Sequence, residues 1–93
     1  MAEATARHIL VDDEKVCEEL KTKILDGLDF AEAAREHSTC SSARRGGDLG
    51  SFGPGQMVKE FDEVVFSADL NELLGPIKTQ FGYHLLEVMS RTD

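Results

Sequence analysis

Two histidines stand inside apolar segments at opposite ends of the chain. His8 lies in Ala6-Arg7-His8-Ile9-Leu10-Val11, and His84 lies in Tyr83-His84-Leu85-Leu86. A buried imidazole needs partners for both ring nitrogens, and two such rings can satisfy one another if the fold brings them together. The pattern is open to two interpretations, a pair of satisfied core histidines or the polar part of an active site.

A cysteine provides a third group with possible chemistry. Cys40 stands in the polar stretch Ser38–Ser42 just after a predicted helix, where a thiol is at least partly accessible. With His8 or His84 it would form a nucleophile pair, and with both it would form a metal site. Neither has its usual support, because the chain lacks a local cysteine-hydrolase signature and the short paired spacings typical of zinc. We expect no metal and no cofactor.

The glycine-rich segment Arg44–Gly50 resembles two phosphate-binding motifs only in part. It lacks the Gly-Lys-Ser/Thr of a Walker loop, and Gly47-Asp48-Leu49-Gly50, as a GXXG clamp, carries an acid where nucleic-acid phosphates would lie. We interpret these glycines as tight turns beside a strand.

The elements that must position these groups follow from periodicity. A strand is predicted up to Val11, and an amphipathic helix follows, capped by Asp12 or Asp13 and ended by Gly27. A second helix follows Asp29 and ends near Ser38. The later elements are a short strand at Asp48–Phe52, a helix after Lys59, a break at Gly75-Pro76, and a hairpin of Ile77–Gln80 and Tyr83–Met89. This order predicts an α+β fold with helices packed on a mixed sheet.

Length and charge limit the classes of function. The chain has 93 residues, so we expect one domain over 1–93, with 1–4 and 91–93 frayed. Its formal charge of -8 repels polyanions, which argues against nucleic acid and anionic membranes as partners. No apolar run approaches a membrane span, the N-terminus has no signal-like pattern, and two cysteines are few for a secreted scaffold. We therefore expect a cytoplasmic monomer with reduced thiols.

Taken in order, the segments resemble the parvulin family of peptidyl-prolyl cis-trans isomerases over nearly the whole chain. The matching segments are His8–Val11, Phe30 with Ala33-Ala34, Ser38–Ser42, Arg45–Gly50, Phe52, Gly55–Val58, Phe61, Phe66, Gly75-Pro76 and Thr79–His84. The resemblance implies a parvulin-like (FKBP-like) β-α-α-β-α-β-β fold with a four-stranded, antiparallel-type sheet, and it implies rotation of X-Pro bonds in proline-containing polypeptides.

The resemblance also implies roles for single residues. The paired histidines His8 and His84 would form the floor of the active site, with Cys40 and Thr79 hydrogen-bonded around them. Leu49, Met57 and Phe61 would line the proline pocket, with Phe81 at its edge.

Two departures from the family pattern matter. Phosphate-directed parvulins carry a Lys/Arg-rich loop after the first strand, whereas this chain has Asp12-Asp13-Glu14, so a phosphoserine before proline should be repelled. Glu60 stands where the family often has Pro before the pocket Phe. The alternative functions are a non-catalytic module that binds proline-containing or unfolded segments, and a small thiol or metal protein built on Cys40.

Overall fold

The computed structural model describes residues 3–92, which form a four-stranded sheet with helices on both faces. The strands are β1 (Glu3–Val11), β2 (Asp48–Phe52), β3 (Leu73–Thr79) and β4 (Gly82–Thr92), and the helices are α1 (Glu14–Leu25), α2 (Phe30–His37) and α3 (Lys59–Val65). The strand order is β2-β1-β4-β3, and every neighbouring pair is antiparallel. The expected α+β class and the order β-α-α-β-α-β-β are confirmed.

The alternation of side chains along β1 and β4 divides the core into two layers. Ile9, Val11 and Leu85 face α1 and α2, whereas Leu86 and Val88 face α3. Because successive residues of a strand point to opposite faces, each central strand contributes to both layers. Both histidines fall on the α3 side, as their positions in the two strands require.

Side-chain caps begin α1 and α2 at the predicted residues. The carboxylate of Asp13 accepts the backbone N–H of Lys15 at 2.8 Å, and that of Asp29 accepts the N–H of Glu32 at 3.1 Å. These bonds satisfy N–H groups that have no partner within their own helix. Asp13, not Asp12, is therefore the cap of α1.

Three sequence expectations need correction. Gly75-Pro76 lies inside β3, where an irregular register between Leu74 and Ile77 accommodates it, and so it does not break the chain. Residues 41–45, for which the Ser- and Gly-rich composition of 38–55 predicts a loop, form a short 3₁₀ helix. The sheet is antiparallel throughout, not mixed as the order of the elements predicted. Glu3 pairs with Thr92, residues 1, 2 and 93 lie outside the described part, and the expected fraying of the two ends stays a prediction. Across residues 3–92, no helix is long and apolar enough to cross a membrane.

Candidate active site

The two predicted histidines meet across the central strands of the sheet. His8 on β1 and His84 on β4 are 4% and 3% exposed, and their Nδ1 atoms lie 3.1 Å apart. The outer nitrogens also have partners: His8 Nε2 lies 3.2 Å from Ser42 Oγ, and His84 Nε2 lies 2.7 Å from Thr79 Oγ1. These contacts form a continuous chain of side-chain hydrogen bonds through the buried centre of the domain.

The chain of hydrogen bonds can run in either of two directions. The backbone N–H of Phe81 donates to Thr79 Oγ1 at 3.1 Å, and this hydroxyl can either donate to His84 Nε2 or accept from it. If neutral His84 carries its proton on Nδ1, it donates to His8 Nδ1 and His8 Nε2–H donates to Ser42; if it carries the proton on Nε2, each of these bonds is reversed. Both arrangements give each ring nitrogen a partner of the opposite role, and no buried side-chain N or O atom among residues 3–92 lacks a partner.

Both rings are neutral at neutral pH. Burial lowers the pKa of His8 from 6.5 to about 4, with a further contribution from the neighbouring charge of His84, and burial lowers the pKa of His84 to about 4. A second proton between the rings would also set two N–H groups against each other across the short Nδ1 contact. The site therefore has a polar but uncharged floor.

An apolar cavity of about 280 Å³ opens above the histidines. Its lining contains every site residue expected from the sequence except Thr79, and these are His8, Cys40, Leu49, Met57, Phe61, Phe81 and His84. Thr79 lies behind His84, as the contact at 2.7 Å shows. A cavity just below the usual size range of small-molecule sites suits a single ring with its flanking peptide groups.

Phe61 joins the wall of the cavity to its floor. The residue is 3% exposed, and its ring stands nearly perpendicular to both imidazoles, with centroid separations of 4.5 Å to His84 and 5.4 Å to His8. Edge-to-face packing of this kind fixes ring orientation. Phe81, which is 60% exposed, forms the rim at the opening.

Ser42, rather than Cys40, provides the hydrogen-bond partner of His8 Nε2. Cys40 lines the cavity, and the 3₁₀ helix that begins one residue later places Ser42 against His8. Burial alone would raise the pKa of the Cys40 thiol, but hydrogen bonding from Ser42 and Ser41 outweighs it and lowers the pKa below the ordinary value. The thiol is therefore an accessible polar group beside the pocket.

The sequence analysis missed Ser42, Leu10 and Val58. Ser42 is 2% exposed and completes the hydrogen-bond chain, while Leu10 and Val58 line the cavity. The position of Leu10, two residues after His8 on the same face of β1, was the available signal. Nothing in the local sequence distinguished Ser42 from Ser41.

Gly47 supports the strand that carries His8. The backbone N–H of His8 donates to the Gly47 carbonyl at 2.9 Å, and Gly47 adopts a φ of 88°. A side chain here would collide with the His8 carbonyl oxygen and press on Ala34. Only glycine combines this backbone conformation with so close an approach.

A second groove, of about 470 Å³, lies on the face of the sheet that carries Arg7. It is larger but contains no histidine or cysteine. Its Arg7 forms a salt bridge with Glu87, in which Nη2 lies 2.6 Å from Oε1. The cavity above the histidines is therefore the candidate site. Within residues 3–92, no group of three His, Cys, Asp or Glu side chains could hold a metal ion.

This topology, with a neutral histidine pair beneath an apolar pocket, agrees with the class of peptidyl-prolyl isomerase domains that the sequence resembles. A profile of the rotamase family, described as the PPIC-type PPIASE domain, matches residues 6–90. The chain belongs to this parvulin family of peptidyl-prolyl cis-trans isomerases.

Individual relatives agree with this assignment. The foldase protein PrsA of Geobacillus sp. is 47% identical over 89 residues, which cover 95% of this chain and 32% of PrsA. The chain thus spans roughly a third of the curated relatives it matches.

Solved structures extend the comparison to the fold. The crystal structure of the peptidylprolyl isomerase PrsA from Bacillus anthracis matches with a TM-score of 0.95 at 34% identity, over 99% of this chain and 43% of that one. The solution structure of NmPin, the parvulin of Nitrosopumilus maritimus, matches with a TM-score of 0.86 at 34% identity, over 97% of this chain and 98% of NmPin.

Proposed function

We propose that this chain accelerates rotation about X-Pro peptide bonds in flexible polypeptide segments and thereby assists protein folding. The observation that carries the proposal is the apolar cavity of about 280 Å³ with the neutral histidine pair as its floor. Relatives named as foldases, such as PrsA of Geobacillus sp., support the role in folding.

The reaction needs a lower torsional barrier and no broken bond. The peptide C–N bond has a rotation barrier of ~18–20 kcal/mol, and X-Pro bonds exchange over roughly tens to hundreds of seconds unaided. During rotation the amide loses resonance, so charge separation falls and the nitrogen regains a lone pair. Transfer from water to an apolar pocket therefore favours the twisted bond over the planar one.

The lowering of the rotation barrier that the reaction requires is modest. A thousandfold acceleration corresponds to ~4 kcal/mol, within the range of desolvation combined with a few oriented hydrogen bonds. Leu49, Met57 and Phe61 would hold the proline ring, and the cavity wall would exclude water. The histidine pair would fix the polar floor without carrying charge, because both rings are neutral and each of their nitrogens already has a hydrogen-bond partner.

We also propose that the enzyme is not phosphate-directed. Leu10 lines the cavity, and the exposed Asp12, Asp13 and Glu14 follow it after one residue. Negative charge at this end of β1 disfavours an acidic or phosphorylated residue before proline, so neutral and basic residues should be preferred.

The test is cis/trans exchange measured by NMR in Ala-X-Pro-Phe peptides, with Leu, Lys, Glu and phosphoserine at X. We expect acceleration at catalytic concentrations of protein, with phosphoserine the poorest substrate. Asp12→Lys should raise the phosphoserine rate relative to Leu, because Asp12 is exposed and Asp13, not Asp12, caps α1. A folded protein that binds the peptides without accelerating exchange would instead be a binding module.

We further propose that the protein is a monomer in the cytoplasm and that it acts on proline-containing chains. The two free thiols, Cys17 buried and Cys40 at the pocket, support a reducing compartment. The formal charge of -8 weighs against nucleic acid and anionic membranes as partners. Fractionation of the native cells, light scattering of the purified protein, and binding titrations with DNA and anionic vesicles test these points.

A further inference from the structure

The guanidinium of Arg91, near the end of β4, binds the C-terminal end of α3. Its Nη1 donates to the carbonyl oxygens of Val65 at 2.8 Å and Ala68 at 2.7 Å. Carbonyls at a helix C-terminus have no partner within the helix, and a cation there also complements the helix dipole. Arg91 thus serves as the C-terminal cap of a helix distant from it in sequence.

A β-bulge directs Arg91 toward α3. Thr5 pairs with Ser90 and Ala6 with Val88, so Met89 is an extra residue on β4 with no partner on β1. In a regular strand Arg91 would share the face of Tyr83 and Leu85, which pack against the other helices. The extra residue reverses the alternation and places Arg91 on the α3 side, opposite the buried Ala4.

The helix that Arg91 holds supplies one wall of the proline pocket. Phe61 lies on α3, and Met57 and Val58 directly precede the helix. Val58 provides no side-chain cap at the start of α3. The helix is held against β4 by the His84 ring packed on Phe61 at 4.5 Å and by the buried Val65, which shares a core cluster with Leu86 and Val88. Arg91 adds a polar attachment at its C-terminus.

We propose that Arg91 is a positioning residue for the proline pocket, which fixes α3 and hence the wall formed by Met57, Val58 and Phe61. Without Arg91, α3 spends most of its time displaced from the binding arrangement, and the apparent affinity for substrate falls in proportion to the fraction of time that remains binding-competent. The inference rests on the proposed isomerase function for its kinetic consequence. Its structural consequence, looser attachment of α3, is independent of catalysis.

The test compares Arg91→Met, which keeps the length and the apolar stem, with Arg91→Lys, which keeps the charge. Arg35→Met is the matched control, because Arg35 is an exposed residue of α2 outside the pocket lining. We expect Arg91→Met to raise KM roughly tenfold, equivalent to ~1.4 kcal/mol, with kcat unchanged because saturating substrate selects the binding arrangement. Arg91→Lys should recover much of this loss, and the control should match wild type.

Amide hydrogen exchange provides a second measurement of the attachment of α3, and it does not depend on isomerase activity. The amide of Ala68 donates to Val64 O, and that of Phe66 donates to Asp62 O, so both report on the end of α3. Arg91→Met should speed their exchange roughly tenfold relative to wild type, while the His8 amide on β1 stays protected. Equal acceleration at His8 and Ala68 would indicate general destabilisation and overturn the positioning role.

The two proposals fail in different ways. A wild-type protein that does not accelerate X-Pro exchange refutes the proposed function, and the same tenfold effect of Arg91→Met is then sought in the Kd for the Ala-Leu-Pro-Phe peptide. A wild-type protein that is active, with KM and α3 exchange unaltered by Arg91→Met, refutes the role of Arg91. If Arg91→Met does not fold, Arg91→Lys replaces it in the test. An intermediate rise in KM for Arg91→Lys then supports the positioning role, and an unchanged KM refutes it.

Discussion

Acidification from pH 7.5 to 5.5 should destabilise the protein through the buried histidine pair. Folding holds the pKa of both His8 and His84 at about 4, below the 6.5 of an unfolded histidine. Between these values the unfolded chain binds more protons than the native one, so stability falls as the pH falls. The stabilisation is complete above about pH 6.5 and is lost progressively as the pH drops toward 4.

The pH interval isolates the histidines from the carboxylates. At pH 5.5 an unfolded histidine is about 90% protonated, whereas ordinary carboxyl groups, with pKa values of ~4, remain ionised. Each histidine then accounts for a loss of ~1.3 kcal/mol between pH 7.5 and 5.5, and the pair for ~2.6 kcal/mol. This is a large part of the ~5–15 kcal/mol typical of a domain.

Urea unfolding followed by circular dichroism at pH 7.5, 6.5 and 5.5 measures this loss. His8→Gln and His84→Gln should each lose about half as much stability over the interval as wild type, whatever their absolute stability. His37→Gln, which replaces an exposed side chain, is the control and should lose as much stability over the interval as wild type. A wild-type loss below ~0.5 kcal/mol, or a His84→Gln profile parallel to wild type, would refute the neutral buried pair.

Three further predictions concern the residues around the pair. Ser42→Ala leaves His8 Nε2 without its buried hydrogen-bond partner and should lower the free energy of unfolding by ~1–3 kcal/mol in urea titrations. Cys40→Ser should keep kcat/KM within about tenfold, because no bond is broken in the proposed reaction; a loss of ~1000-fold in the NMR exchange assay would instead require a covalent role. Gly47→Ala should cost ~2–4 kcal/mol in thermal unfolding because its methyl meets the His8 carbonyl, whereas Gly50→Ala, with open space around it, should cost ~1 kcal/mol.

Much of the fold could be predicted because its local signals agree with one another. Asp13 and Asp29 cap helices in which the apolar residues recur at helical spacing, and the alternation of residues along β4 places Leu85 and Leu86 on opposite faces of the sheet. The exception, Gly75-Pro76, shows the limit of such rules. Gly and Pro ordinarily interrupt a strand, but an edge strand with an irregular register has room for both.

The site residues, like the fold, could be predicted only in part from the sequence. His8 and His84 were recognisable because a polar ring in an apolar strand requires a partner. Ser42 was not, because its role depends on a 3₁₀ turn that begins at Ser41, and the sequence offers several serines in that stretch. Arg91 was hidden for another reason, since the bulge at Met89 changes which face it occupies and depends on the pairing of two distant strands.

The floor and the wall of the pocket are held by different parts of the fold, and this difference has a kinetic consequence. The floor belongs to β1 and β4, the two central strands, and its rings are fixed by hydrogen bonds at both ends. The wall lies on, and just before, a seven-residue helix, α3, which is held by its buried Phe61 and Val65 and by Arg91 at its C-terminus. Substrate binding can restore a displaced wall but cannot supply a missing partner to a buried ring. Ser42→Ala should therefore act mainly on kcat and Arg91→Met mainly on KM, and the same change in both constants for the two variants would mean that floor and wall move as one unit.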